Sequence, residues 1–192
     1  MDKNPKIIKI KQKKGWENQC TAFFNFNVPH PTITPFGDWR IKNKGFEYLY
    51  RQRKMIYLCN NDILHLLTNE RLNTLSLDDI AWKGKNFSDD DKYKSLLTSG
   101  KKWENCDTKF PIIAIEENFN PMNLKYTLID GRHRAEKLLS QNYKNAKVYV
   151  LKWNDIKNYL KIRVGLDSNN SKILVKVKYN KKGKPLISGE TE

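Results

Sequence analysis

The chain is 192 residues long, 39% hydrophobic and 11% aromatic, which suits one folded domain with extensions and excludes an intrinsically disordered chain. Its formal net charge of +15 is uneven: +8 over residues 1–60, where 12 basic residues face 4 acidic ones, −3 over 61–130 and +10 over 131–192. Basic ends around a mildly acidic middle are the footprint of a polyanion binder, with DNA or RNA as the expected partner, or of a lysine-rich surface that serves solubility.

Cys20, Cys59 and Cys106 are odd in number, far apart and in no C-x-x-C pair, which argues for free thiols in a reducing compartment and against a disulfide framework. No apolar run approaches the ~20 residues of a membrane helix, and no signal peptide is visible. The expectation is a cytoplasmic protein with no membrane partner.

In chain order, Ile7, Ile8 and Ile10 alternate with lysines, as in an edge strand guarded by charge or a basic arm. Thr21–Val28 is aromatic-rich and strand-like, and Pro29, Pro31 and Pro35 then impose an irregular loop. Trp39 to Arg53 reads as a hairpin turning at Asn43-Lys44-Gly45. Its aromatics lie beside Arg40, Arg51, Arg53 and Lys54, an arrangement that either stacks single-stranded bases or packs rings into a core under solvated cations. Asn60 or Asn61 caps a short helix through Leu67, in which His65, set among leucines, is expected to pack. Ser88 before Asp89, Asp90 and Asp91 suits a helix N-cap with acids in the first turn, or carboxylates for a divalent metal. Phe110–Ile115 is a second strand, closed by Glu116 and Glu117, which either face the turn described next or begin a loop.

Tyr126–Leu139, read Y-T-L-I-D-G-R-H-R-A-E-K-L-L, is the centre of the chain. A short apolar strand meets an Asp-Gly turn, and Ala135, Leu138 and Leu139 then mark one apolar face of a helix. Gly131 supplies the backbone angles of a sharp turn and lets a ligand approach the main chain. Arg132, His133 and Arg134 therefore stand at a helix N-terminus, where backbone N–H groups and the dipole attract anions, and where arginine matches phosphate oxygens bidentately. The bland alternative is that Asp130 caps the helix and the arginines form surface ion pairs. Ala146–Leu151 is the next strand, Asn154 caps a short helix, and Lys172–Tyr179 alternates up to a turn at Asn180–Gly183, with a return strand through Ile187. Lys172, Lys176 and Lys178 form a basic stripe, with no acid between Ser168 and Gly189, that either tracks a phosphate backbone or is a solvated sheet face.

The run D-G-R-H-R-A, after a strand and before a helix, with Tyr143–Leu151 as the next strand, resembles the ParB/sulfiredoxin superfamily. The equivalent turn there is G-E-R-R in chromosome-partition ParB, G-C-H-R in sulfiredoxin and D-G-H-H-R in free-serine kinases, and it holds nucleotide phosphates. The last form is the nearest, through Asp130, Gly131, His133 and Arg134. The resemblance spans roughly positions 70 to 155, with Thr74–Ile80 and Phe110–Ile115 as the family's opening and central strands. Arg132 stands at the sulfiredoxin nucleophile position, which argues against sulfinic-acid reduction. Glu136 and Lys137 replace the second arginine run of ParB, and no later segment resembles its helix-turn-helix.

The resemblance implies an α+β fold, a ParB/sulfiredoxin-like mixed sheet with short helices, over residues 69–162. A basic β-rich extension (1–68) and a basic β-hairpin (163–192) elaborate it. It implies a nucleoside di- or triphosphate on Gly131, Arg132, His133 and Arg134, with Mg²⁺ at Asp130 and with Asp130 and His133 as candidate catalytic groups. Arg51, Arg53, Lys54, Lys172, Lys176 and Lys178 are the nucleic-acid candidates. Three function classes remain: a ParB-like nucleotide-binding protein on nucleic acid, a phosphotransferase, NTPase or nuclease-like enzyme on the same scaffold, and a non-enzymatic DNA-, RNA- or protein-binding factor with a vestigial pocket. The lone domain and Lys/Asn bias fit a phage or mobile-element source.

Overall fold

The computed structural model describes residues 8–9, 33–35, 56–82, 85, 98–117, 120, 122–166, 168, 172–183 and 185–186. In chain order the strands are β1 (Ile8–Lys9), β2 (Ile33–Pro35), β3 (Ile56–Cys59), β4 (Leu72–Ser76), β5 (Ile80–Ala81), β6 (Ile112–Ile115), β7 (Tyr126–Asp130), β8 (Asn145–Leu151), β9 (Lys161–Leu166), β10 (Lys172–Lys176), β11 (Lys178–Tyr179) and β12 (Pro185–Leu186). The helices are α1 (Asn60–Ile63), α2 (Lys101–Glu104), α3 (Arg132–Ser140) and α4 (Trp153–Ile156), joined by short 3-10 turns. The fold is α+β, with mixed strands and short helices. Two compact units divide it: residues 64–153 with 25–30 form one, and the remainder of both termini forms the other.

In the terminal unit the chain's two ends meet in one antiparallel sheet, ordered β1-β10-β9-β3-β2. β1 is an edge of that sheet, on the stretch expected to be an edge strand. Leu58, Ile162 and Leu174 are buried, and Lys161, only 1% exposed, is neutralised by Asp62 at 2.5 Å. The helix expected to be capped by Asn60 or Asn61 is α1 followed by a 3-10 turn over Leu64–Leu66. His65 is exposed there, not packed among its leucines. The reason is geometric: a 3-10 turn has three residues per turn, so the helical spacing that would turn His65 inward is not kept.

The central unit is a five-stranded sheet ordered β4-β8-β6-β7-β5, in which β4–β8 and β6–β7 pair antiparallel while β6–β8 and β5–β7 pair parallel. Ile112 to Ile115 are all buried, as are Leu128, Ile129, Val148 and Leu151. Strands covered on both faces require such continuous apolar runs. α3 lies on one face, where Ala135 and Leu138 are buried and Leu139 is half-buried, beside Ile112, Ala114, Leu128 and Val148. Its C-terminus closes through Asn142 at φ +61°, with the Tyr143 N–H on Leu138 O and the Asn142 N–H on Leu139 O. That is the paired 6→1 and 5→2 pattern of a Schellman stop.

The stretch Thr74–Ile80 is not one strand. β4 ends at Ser76, whose hydroxyl accepts from the Asp78 N–H, and a 3-10 turn over Leu77–Asp79 leads to β5 at the opposite edge of the sheet. Four strand spacings of about 4.8 Å would hold flat edges ~19 Å apart, whereas the four steps from Ser76 to Ile80 reach at most ~14 Å. The sheet must therefore curl. The buried ammonium of Lys85 fixes this crossing by donating to Leu77 O (2.5 Å), Ile80 O (2.8 Å) and Asp78 O (3.2 Å), and it lies 4.7 Å from the Trp82 ring.

The expected strand Thr21–Val28, the hairpin Trp39–Arg53 and the acidic run Asp89–Asp91 lie outside the described residues. Asn154 falls inside α4, which starts one residue earlier at Trp153, so it is not the cap; its side chain accepts from Lys157 Nζ at 2.9 Å. No helix among the described residues is long and apolar enough to cross a membrane.

Candidate functional site

β7 delivers its last residue, Asp130, directly into α3 through Gly131. Between β6 and β7 the register slips: Ile113 faces Asp130 while the next residue, Ala114, faces Leu128. The extra residue, Ile129, makes a bulge immediately before the turn, a device that re-aims the backbone where a strand ends. Gly131 has φ +100° and ψ 25°, and a Cβ there would stand 2.7 Å from Ile112 Cγ2 and 2.8 Å from Arg134 Nη2. The turn thus needs glycine twice over, for its backbone angle and for the packing against it.

Gly131 is also the N-cap of α3, with no side-chain cap hydrogen bond, and the helical ladder opens with Ala135 N–H on Gly131 O at 2.9 Å. The N–H groups of Arg132, His133 and Arg134 lie ahead of that ladder, at the positive end of the helix dipole. All three side chains are half-buried. Asp130 does not cap the helix. Its Oδ2 accepts from Arg134 Nη2 at 3.0 Å, in an i,i+4 pair whose side chains are only 20% and 13% exposed. Arg134 Nε is buried and meets no acceptor among the described residues.

Glu136 and Lys137, which depart from the ParB pattern, are structural here. Glu136 Oε1 accepts from Trp82 Nε1 at 2.6 Å. Lys137 Nζ closes the C-terminal end of α2 by donating to Trp103 O (3.1 Å), Glu104 O (3.2 Å) and Cys106 O (2.9 Å). Cys59 and Cys106 are free thiols. Burial pushes the Cys106 thiol above its usual range, although Arg134 and Lys137 pull it the other way. Glu116 and Glu117 do not face the turn: Ile115 pairs with Thr127, so they follow the end of β6 remote from Asp130. There Glu116 pairs with Lys125 at 3.3 Å, and Glu117 O accepts from the Thr127 hydroxyl. Those two acids, with Asn123 and Lys125, line a shallow open depression of about 440 Å³.

No protein-family model, curated protein or solved structure matches the chain. The site therefore stands on its own geometry, which gathers Asp130, Gly131, Arg132, His133 and Arg134 at one strand-to-helix junction. Among the described residues no group of three or more His, Cys, Asp or Glu side chains is assembled to hold a metal ion.

The nucleic-acid candidates are apart from this junction in the sequence. Arg51, Arg53 and Lys54 lie outside the described residues. Lys172 begins β10, and Lys176 and Lys178 are exposed. The register of β10 against β9 shifts at Ile173/Leu174, and Leu174 and Val175 are both buried, so burial does not alternate strictly along β10. Sequence reasoning missed the Asp130–Arg134 pair, although the i,i+4 spacing was its signal. It also missed Lys85, and nothing local in the sequence distinguishes that lysine from the others in the chain.

Proposed function

We propose that the chain is a ParB/sulfiredoxin-type nucleotide-binding protein that works in contact with nucleic acid, and that it holds the phosphates of a nucleoside di- or triphosphate at the Gly131–Arg134 turn. The observation that carries the reading is Arg134, a largely buried guanidinium with one edge on Asp130 and its Nε–H without an acceptor among the described residues. A buried donor left unsatisfied costs about 1–3 kcal/mol, and a phosphate oxygen reached by Nε–H would remove that cost while adding a charge-assisted bond. The N–H groups opening α3 and the Arg132 and His133 side chains fit the same anion. The mixed sheet that presents the turn supports the family reading. Mg²⁺ would arrive with the nucleotide, held mainly by phosphate oxygens and by Asp130, the carboxylate at the turn; it would offset charge on the phosphates. In this role Asp130 exchanges Arg134 for the incoming ligand.

Thermal unfolding with ATP, ADP, CTP and GTP, with and without Mg²⁺, tests the reading on wild type and Arg134→Ala. A nucleotide at ~100 times its Kd adds about 2.7 kcal/mol, or roughly 5–11 °C in a chain of this size. A selective shift that is lost in the variant is expected. No shift with any nucleotide, or equal shifts in both proteins, would refute it. A second reading, phosphoryl transfer or hydrolysis with Asp130 and His133 as reacting groups, is favoured by the D-G-x-H-R form of the turn. Phosphate release that disappears in Asp130→Ala supports it.

A further inference from the structure

The segment from β10 to β12 carries six lysines and no acid between Ser168 and Gly189. Lys176 ends β10 and Lys178 begins β11, and both are exposed while Val175 and Val177 beside them are buried. The chain then turns sharply. Asn180 Oδ1 accepts from the Lys182 N–H at 3.0 Å, Asn180 O accepts from the Gly183 N–H at 2.9 Å, and Gly183 takes φ +74°. That turn holds Lys181 and Lys182 exposed at the tip of the β11–β12 hairpin. The base of the hairpin is anchored by the Tyr179 hydroxyl on Lys157 O at 2.7 Å and by the Val177 N–H on Leu160 O at 2.9 Å.

Among the described residues none of Lys176, Lys178, Lys181 and Lys182 is in an ion pair, whereas Lys125 and Lys161 each have a carboxylate. These four exposed lysines make a cationic patch that complements a polyanion. We infer that this face binds the phosphate backbone of duplex DNA without sequence preference. The inference rests on the reading of the chain as a nucleic-acid-associated protein but not on the nucleotide turn. Duplex is chosen over single strand because, among the described residues, the face offers no exposed aromatic ring for a base to stack on; Tyr179 is half-buried, with its hydroxyl engaged. Ammonium groups contacting phosphates position a duplex without reading its bases.

The test is fluorescence anisotropy of the full chain with two 20-base-pair duplexes of unrelated sequence, a single strand of equal length and phosphatidylserine vesicles, at salt from 50 to 200 mM. Wild type and the quadruple variant K176Q/K178Q/K181Q/K182Q are compared. Equal affinity for the two duplexes is expected, with the slope of log K against log salt shallower by about three to four in the quadruple variant. A quadruple-variant slope equal to wild type, with binding intact, overturns the assignment of the face alone. Preference for the single strand, or vesicle binding as tight as duplex binding, overturns the choice of partner. Absence of wild-type binding to any nucleic acid overturns this inference together with the nucleic-acid association, while leaving the nucleotide titration standing.

Discussion

Gly131→Ala tests the geometry of the turn with one methyl group. The backbone at φ +100° lies in a region that costs an L-residue about 1–2 kcal/mol. The added Cβ also enters within 2.7 Å of Ile112 Cγ2, and Ile112, the first residue of β6, is 1% exposed and packed in the core, so it has little room to retreat. The guanidinium at 2.8 Å belongs to a flexible side chain, but swinging it away breaks its bond to Asp130. Overpacking of this kind costs about 1–3 kcal/mol. The two effects sum to roughly 2–5 kcal/mol, which lowers Tm by roughly 4–20 °C in a chain of this length. Urea unfolding followed by circular dichroism measures it. Gly131→Asn separates the causes, because asparagine tolerates the left-handed backbone but carries the same Cβ. If the overlap with Ile112 dominates, Ala and Asn fall together; if the backbone dominates, Asn is the milder. A Gly131→Ala protein within about 0.5 kcal/mol of wild type, the range of an inconsequential surface change, would show that the turn is not packed as described.

Burial lowers the pKa of Lys85 from its ordinary 10.5, outweighing the raising effect of Asp78, Asp79 and Glu136. Between that depressed value and 10.5 the unfolded chain holds a proton that the folded one has released, so this group makes stability rise with pH across the window. Urea-unfolding free energies at pH 8, 9 and 10 should show wild type gaining on Lys85→Met as pH rises; a constant or shrinking difference contradicts the burial of this ammonium. Cys106, studied in a Cys20→Ser/Cys59→Ser background, should alkylate with iodoacetamide more slowly than free cysteine at pH 8, with a rate–pH midpoint above the usual value of about 8.5. A midpoint at or below that value would mean that Arg134 and Lys137 activate the thiol despite its burial.

The parts legible in the sequence are those decided locally. Ala135, Leu138 and Leu139 announced the face of α3 by their spacing alone, and Gly131 announced the turn because no other residue fits both its angle and its packing. Ala146–Leu151 fell within β8 because it alternates between a covered and an open position at its start. Thr74–Ile80 misled because its resemblance to the family's opening strand makes it one strand, while the break depends on Ser76 capping Asp78; the S-L-D-D order was itself a helix-start signal. The bracing of the site was not legible at all. Trp82 and Glu136 are 54 positions apart, and Lys137 reaches the α2 carbonyls across more than 30. Only the folded sheet brings such groups together. For the same reason Glu136 and Lys137 looked like departures from a family pattern when their work is to hold the α3 helix in place.

The crossing from β4 to β5 has a consequence for how the protein fails. One ten-residue segment, Leu72 to Ala81, supplies both outer strands of the central sheet. If that segment is clipped or frays, β8 and β7 are laid open at the same moment, two rows of unpaired backbone groups on opposite sides of one sheet. A molecule with one bare edge can pair once and stop, whereas a molecule with two can add neighbours on both sides and grow into a fibre. The Lys85 ammonium, by clasping three carbonyls of the crossing, ties the link between those two outer strands together.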